Sequence, residues 1–188
     1  MIDIDRDAQS LRATGDVVSE LVDNKQTQPG PAGSGPQPQT QTAATMPVFT
    51  IVHAPDLFYR DDTRIALYSG GAKLTRDKMN VTAKQIQAFL NPKDEKNPSQ
   101  SSLDHAFADG NVNIYEVVSP GRTRTGSSEH CEYYAKQDKV VLNGGSPQMV
   151  DSYKGVTKGK QLTYYSDDDH MIVEGETKEL ADTRMKKR

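Results

Sequence analysis

An all-β, antiparallel fold made of repeated amphipathic hairpins is predicted by three observations. One pattern recurs along the chain: apolar, any, Tyr or another apolar residue, six residues, apolar, any, apolar, any, Gly. Residues that favour strands are plentiful, with eight Tyr, 14 Val and 15 Thr. No apolar stripe of helical period is present.

The pattern shows first in the last third. His130 to Gly145, "HCEYYAKQDKVVLNGG", aligns without a gap onto Gln161 to Glu176, "QLTYYSDDDHMIVEGE". Tyr133 and Tyr134 match Tyr164 and Tyr165, Val140 matches Met171, Leu142 matches Val173, and Gly144 matches Gly175. Two further gap-free copies are Leu57, Tyr59, Ala66, Tyr68 and Gly70, and Ile2, Ile4, Leu11, Ala13 and Gly15. A fifth, Ile86, Ala88, Ala106, Ala108 and Gly110, fits with a longer turn. Alternate strand residues share a face, so the marked positions of each copy line one side of two short strands. Between them lie polar residues such as Asp3, Arg12, Arg60, Glu132 and Thr163, with Leu67, Val141 and Ile172 as apolar exceptions. The six-residue gaps "DRDAQS", "RDDTRI", "YAKQDK" and "YSDDDH" read as turns. The closing glycines are expected at a bulge, a kink or a close backbone approach. "TRDKMN", "VVSPGRTRTG" and "VDSYKG" supply the turns between copies, giving about ten strands.

The chain reads as a single domain over residues 1–188, interrupted by polar excursions. Asn24 to Pro47 is rich in Pro, Gly, Gln and Thr and is expected as a flexible loop between the first and second copies. Residues 91–102 are expected as a polar insertion in the third hairpin's turn, and 181–188 as a frayed tail. Leu, Ile, Val and Phe make up only 35 of 188 residues, so the interior must be thin. A net charge of -3 gives no reason to expect a nucleic-acid partner. No apolar run is long enough to span a membrane as a helix, and "MIDIDRDAQSL" has no signal-peptide pattern.

Candidate chemistry is sparse. Asp167, Asp168 and Asp169 could in principle hold a cation, but they occupy the turn slot of the repeat, where Asp is favoured anyway. His53, His105, His130 and His170 have no metal-site spacing. Cys131 fills the slot held by Leu57 and Leu162, so it reads as a small buried hydrophobe. No catalytic residue, metal or cofactor is expected, and an enzyme is not. Arg122, Arg124, Lys136, Lys139, Lys154, Lys158 and Lys160 are expected as a solvated rim, with contact to anionic head groups as the functional alternative. The inner slots mix tyrosines with many alanines and no Trp, an apolar and roomy composition that permits an acyl chain.

Thr125 to Glu176 resembles the C-terminal repeats of the OstA-like / LptA family of lipopolysaccharide-transport proteins. The matching features are a hairpin of the form YxxxxxxVVLxG, a polar link ending in KGxxLTY, and a second hairpin; "SLRATGDVVSEL" and "AFADGNVNIYE" carry a related AxGxV-like signature. The resemblance implies an antiparallel β-jellyroll open at both ends, periplasmic, with a non-enzymatic role as one link of a bridge to the outer membrane. Lipid A acyl chains of lipopolysaccharide would line an apolar groove formed by Leu11, Leu57, Tyr59, Tyr68, Ile86, Tyr133, Val140, Leu142, Leu162, Tyr164, Met171 and Val173. Partners would be lipopolysaccharide and other jellyroll proteins of the bridge, joined by pairing of edge strands, with self-association through the same edges. The absence of a secretion signal before the first repeat implies a parent protein that carries a signal or anchor. The alternative from a different class is a scaffolding β-repeat protein with a dry core, assembling end to end without lipid.

Overall fold

Five marked hairpins become five pairs of antiparallel strands. The computed structural model describes residues 1–25, 46–92, 102–166, 168–175 and 182–184. Its strands are β1 (Ile2–Asp5), β2 (Ser10–Lys25), β3 (Met46–Arg60), β4 (Ile65–Arg76), β5 (Met79–Leu90), β6 (Leu103–Ser119), β7 (Arg122–Tyr134), β8 (Lys139–Asn143), β9 (Gln148–Asp151), β10 (Gly155–Lys158), β11 (Gln161–Tyr165), β12 (His170–Glu174) and β13 (Asp182–Arg184). They form one antiparallel sheet in the order β1 to β8, then β11 and β12, with β9 on β7, β10 on β9 and β13 on β10. The one helical element among the described residues is the 3-10 turn Ala135–Gln137.

The marked positions face one another across each hairpin. Ile2 pairs with Ala13 and Ile4 with Leu11; Leu57 with Tyr68 and Tyr59 with Ala66; Ile86 with Ala108 and Ala88 with Ala106. Cys131 pairs with Leu142 and Tyr133 with Val140, and Leu162 with Val173 and Tyr164 with Met171. The frame around "SDDDH" is therefore a hairpin, with Asp168 accepting the His170 amide in its turn.

The strands do not stop at the glycines. Register shifts fall between Thr14 and Val17, His53 and Asp56, Ser69 and Ala72, Thr82 and Gln85, and Asp109 and Val112. Because paired strands shift at matching places, the bulges form one crease running across the sheet. Gly15 (φ +97°) and Gly70 (φ +87°) lie on it, in a backbone region that side chains other than glycine rarely enter. Pro55 sits on the crease in β3, where a missing N–H costs no ladder bond.

The crease divides the sheet into two leaves that fold face to face. The first leaf carries the five hairpins. The second comprises residues 17–25, 46–54, 72–83, 112–128 and 148–158, continued by β13. Contact between the leaves is direct: a Cβ on Gly126 of the second leaf would lie 3.0 Å from Leu142 Cδ1 of the first. The architecture is thus an antiparallel jellyroll rather than a closed barrel, with β1 and β12 as edge strands.

The excursions differ in part from the sequence reading. Pairing of β2 with β3 continues to Asn24↔Pro47 and Lys25↔Met46, so the ends of the expected loop are strand; residues 26–45 lie outside the described residues. The Asn91 amide donates to the Ser102 carbonyl at 2.9 Å, closing the neck of the third hairpin, whose residues 93–101 also lie outside them. In the expected tail, Asp182–Arg184 pair with β10, and 181 and 185–188 are likewise outside.

Candidate functional site: the inner faces and their seam

Period 2 puts alternate residues of both leaves into one shared interior. From the first leaf come Ala66, Tyr68, Ile86, Ala88, Ala106, Ala108, Tyr133, Val140, Leu142, Leu162 and Tyr164, all buried. From the second come Leu21, Val52, Ala54, Ala72, Leu74, Val81, Ala83, Val112, Ile114 and Met149. The two sets form one continuous cluster. Small residues on both sides explain how the leaves approach closely with few large aliphatics.

The groove positions expected from the sequence share this inner face, Leu11 through its pairing with Tyr59, but differ in exposure. Tyr68, Ile86, Tyr133, Val140, Leu142, Leu162 and Tyr164 are buried. Leu11, Leu57, Tyr59, Met171 and Val173 are only partly so, and they lie towards the two ends of the sheet. Beyond Leu11, Ile2 and Ile4 occupy the same register on β1 yet are 70% and 63% exposed. At the opposite end Met171 and Val173 line a cleft of about 310 Å³ together with Met149, Thr157, Tyr153, Lys154, Arg124, Asp151 and Asp169.

Opposite the crease, hairpin tips of the first leaf meet turns of the second along a seam. Two arginines close it. Arg76 pairs with Asp23 and donates to Thr50 Oγ1 at 2.6 Å, while Asp23 accepts the Leu103 amide of the other leaf at 3.0 Å. The Arg76 guanidinium also lies 5.9 Å from the centre of the Tyr133 ring. Burial pushes the Tyr133 hydroxyl well above the ordinary phenol range, so it stays neutral.

The second arginine, Arg124, is only 3% exposed and lies 3.8 Å above the centre of the Tyr164 ring. It donates to Glu116 at 3.0 Å, to Asp151 at 3.1 Å and to Asp169 at 2.5 Å. Arg122 forks onto Asp151 at 3.1 and 2.6 Å and reaches Asp169 at 3.0 Å. Lys154 completes the group, 2.6 Å from Asp169 Oδ2. Burial alone would raise the Asp151 carboxyl, but Arg122 and the amides of Tyr153 and Lys154 hold it far below the usual carboxylate range. Asp169 is lowered too, because Lys154, Arg122 and Arg124 outweigh its burial. Glu116 moves the other way, since its burial outweighs Arg124.

The basic residues expected as a solvated rim therefore split. Arg124 is buried and Arg122 nearly so, while Lys136 and Lys154 are 78% and 58% exposed. Cys131 is fully buried, with its thiol pushed up to about 12 by desolvation, as suits a hydrophobe rather than a nucleophile. The sequence reading placed the turns of the second leaf but not its inner residues, although a signal existed: alternation resumes past the glycines as Ala72, Leu74, Arg76 and as Val112, Ile114, Glu116.

Comparison with known proteins agrees with this arrangement. The family described as LptA/(LptD N-terminal domain) LPS transport protein matches residues 52–170, more than half of the chain. Among solved structures, the chain is similar to LptH of Pseudomonas aeruginosa, described as the LptA-homologous periplasmic component of the conserved lipopolysaccharide transport device. That likeness has a TM-score of 0.63 at 13% identity and covers 73% of this chain and 95% of that one. No curated protein sequence matches.

Proposed function

The chain belongs to the LptA/LptD N-terminal-domain family of lipopolysaccharide-transport proteins, and on that premise we propose that it is a periplasmic link that carries lipopolysaccharide with its acyl chains between the two leaves. The observation that carries this reading is the inner face itself. It is apolar and rich in alanine, and its residues become partly exposed towards both ends of the sheet. Acyl chains leave water readily, each buried methylene contributing about 0.8 kcal/mol, and the sugars would stay outside the seam.

The acyl-lining residues in this proposal are the twelve named from the sequence, joined by Leu74, Val112, Ile114 and Met149 of the second leaf. The partly exposed positions at the ends, Leu57 and Tyr59 on one side and Met171 and Val173 on the other, would receive lipid first. The exposed Ile2 and Ile4 on edge strand β1 continue the inner face beyond the fold. Strand addition there would seat another jellyroll, or a second copy, so that one apolar path runs on into the next. Among the described residues no helix is long and apolar enough to cross a membrane.

A titration with lipopolysaccharide, followed by displacement of an apolar fluorophore, tests the reading. Met171→Asp places a charge on the inner face where it is only partly buried, and Ile172→Asp places one on the outer face next to it. Saturable binding that Met171→Asp loses and Ile172→Asp keeps, both with native circular dichroism, is the expected result. No binding by the parent protein would leave the scaffolding role, and equal binding by both variants would remove the groove from this face.

A further inference from the structure

We propose that Arg122, Arg124 and Lys154 form an anion site that the chain's own Asp169 fills in the lipid-free protein, and that a phosphate group on an amphiphile displaces Asp169 and opens the seam onto the cleft below. This rests on the conduit reading for the amphiphile but on local geometry for the anion.

Three cations converge on one carboxylate: Arg124 at 2.5 Å, Lys154 at 2.6 Å and Arg122 at 3.0 Å. That carboxylate comes from the other leaf, on the tip of an edge hairpin, and is 31% exposed. The two arginines do not depend on it for their positions, whereas the Lys154 ammonium is held by Asp169 itself. Asp151 grips Arg122 with both oxygens and Arg124 with one, and Glu116 holds the far end of Arg124. Asp151 is fixed in turn by the amides of Tyr153 and Lys154 at 2.9 and 3.1 Å. If Asp169 swings away, two preformed arginines and the exposed Lys154 face two carboxylates, and the surplus positive charge favours an incoming anion. Phosphate suits the site better than carboxylate, since it offers more oxygens and more charge to the guanidinium N–H groups that now meet Asp169 and to an ammonium.

A further observation points to an occupant beyond Asp169. Directly beneath the cations the cleft is apolar, with Met149, Met171 and Val173. A charged roof over an apolar floor fits a molecule with a phosphorylated head and a hydrocarbon tail better than a free ion. Asp169 is also the clasp that joins β12's hairpin to the second leaf, so the anion that displaces it frees the way for the tail.

Two measurements on the whole chain test this separately from the conduit. In the first, inorganic pyrophosphate is titrated and followed by NMR of the arginine Nε–H groups. Asp169→Asn removes the resident negative charge, so it is expected to bind pyrophosphate on the order of tenfold more tightly than the parent, the difference one charge-assisted hydrogen bond makes. Adding Lys154→Gln, at an exposed position that leaves folding intact, should remove that gain. In the second, bisphosphorylated and dephosphorylated lipid A compete for the fluorophore. The phosphorylated form is expected to bind roughly tenfold better, again about one such bond, and Lys154→Gln should narrow the gap. Equal binding of the two lipids overturns the headgroup assignment while leaving the conduit standing. Failure of both lipids to bind sinks the conduit, and pyrophosphate then decides the anion site alone. Pyrophosphate affinity unchanged by Asp169→Asn overturns it.

Discussion

The two leaves of this jellyroll are lined by different chemistry. On the first, the buried inner residues are alanine, leucine, valine, isoleucine, cysteine and tyrosine, without a charge. On the second lie all of the buried polar and charged residues among those described: Thr50, Arg76, Arg124, Ser128 and Asp151. Apart from Ser128, which stands at the crease opposite Val112, the polar groups stand along the seam, where strands of the second leaf end in turns, and the apolar ones stand nearer the crease. The contrast teaches how such a fold can be both closed and openable. An apolar face adheres to any apolar partner, whether side chain or hydrocarbon. A buried ion pair is directional, and its desolvation penalty nearly cancels its attraction, so it contributes specificity of closure more than stability.

The sharpest way to break that contrast is to remove one charge from the second leaf. Arg124→Met leaves Glu116 without its cation in a buried place and takes one of two arginines from Asp151, and a loss of about 3–5 kcal/mol is expected in urea unfolding. Truncating the first leaf acts through packing alone. Leu142→Ala, at a fully buried position, should cost about 2–5 kcal/mol. The two differ in salt and acid: the Leu142→Ala loss should be the same at pH 7 and pH 3, whereas the Arg124→Met loss should shrink in acid.

The direction of that shrinkage follows from the carboxylates. Asp151 and Asp169 are held below their unfolded values, so their contribution is present above the unfolded Asp pKa of about 3.9 and fades as pH falls towards the folded values. The methyl resonances of Met149 and Met171, which flank the cleft, should therefore shift below about pH 4 while those of Leu142 hold. Uniform loss of all signals at one pH would mean that the seam does not loosen ahead of the leaves.

At the crease between the leaves the effects are smaller. Gly15→Ala meets no atom within 4 Å, so only its positive φ is strained, at a cost of about 1 kcal/mol. Gly70→Ala carries the same strain and would also bring its Cβ to 3.0 Å from Pro55 Cγ, so it should lose more in thermal melting. Smallest of all, Ile172→Ala on the outer face should change stability by no more than about 0.5 kcal/mol.

The first leaf was legible in the sequence because its hairpins are gap-free and its inner slots are apolar. Tyr59, Tyr133 and Tyr164 recur at one position, and the pairing partners of each could be read by counting. The second leaf was hidden for two physical reasons. A bulge changes which residues face inward, so Leu57 and Tyr59 give way to Ala54 and Val52 on the same strand, out of step with the pattern. Its inner slots also hold Arg76, Arg124 and Asp151, which any reading by hydropathy assigns to the surface. Asp169 reads as a turn residue, which it is, but its partners come from residues 15 to 47 positions earlier. Local sequence carries no trace of such a contact.

The central claim is that lipid enters between the leaves along the first leaf's inner face. Placing p-benzoylphenylalanine at Tyr59 or Met171, near opposite ends of that face, and in separate proteins at the neighbouring outward positions Phe58 or Ile172, tests it directly. After irradiation with lipopolysaccharide, adducts at Tyr59 and Met171 but not at Phe58 and Ile172 are predicted. Adducts of equal yield on both faces, or none at the inner positions of a folded protein, would contradict it.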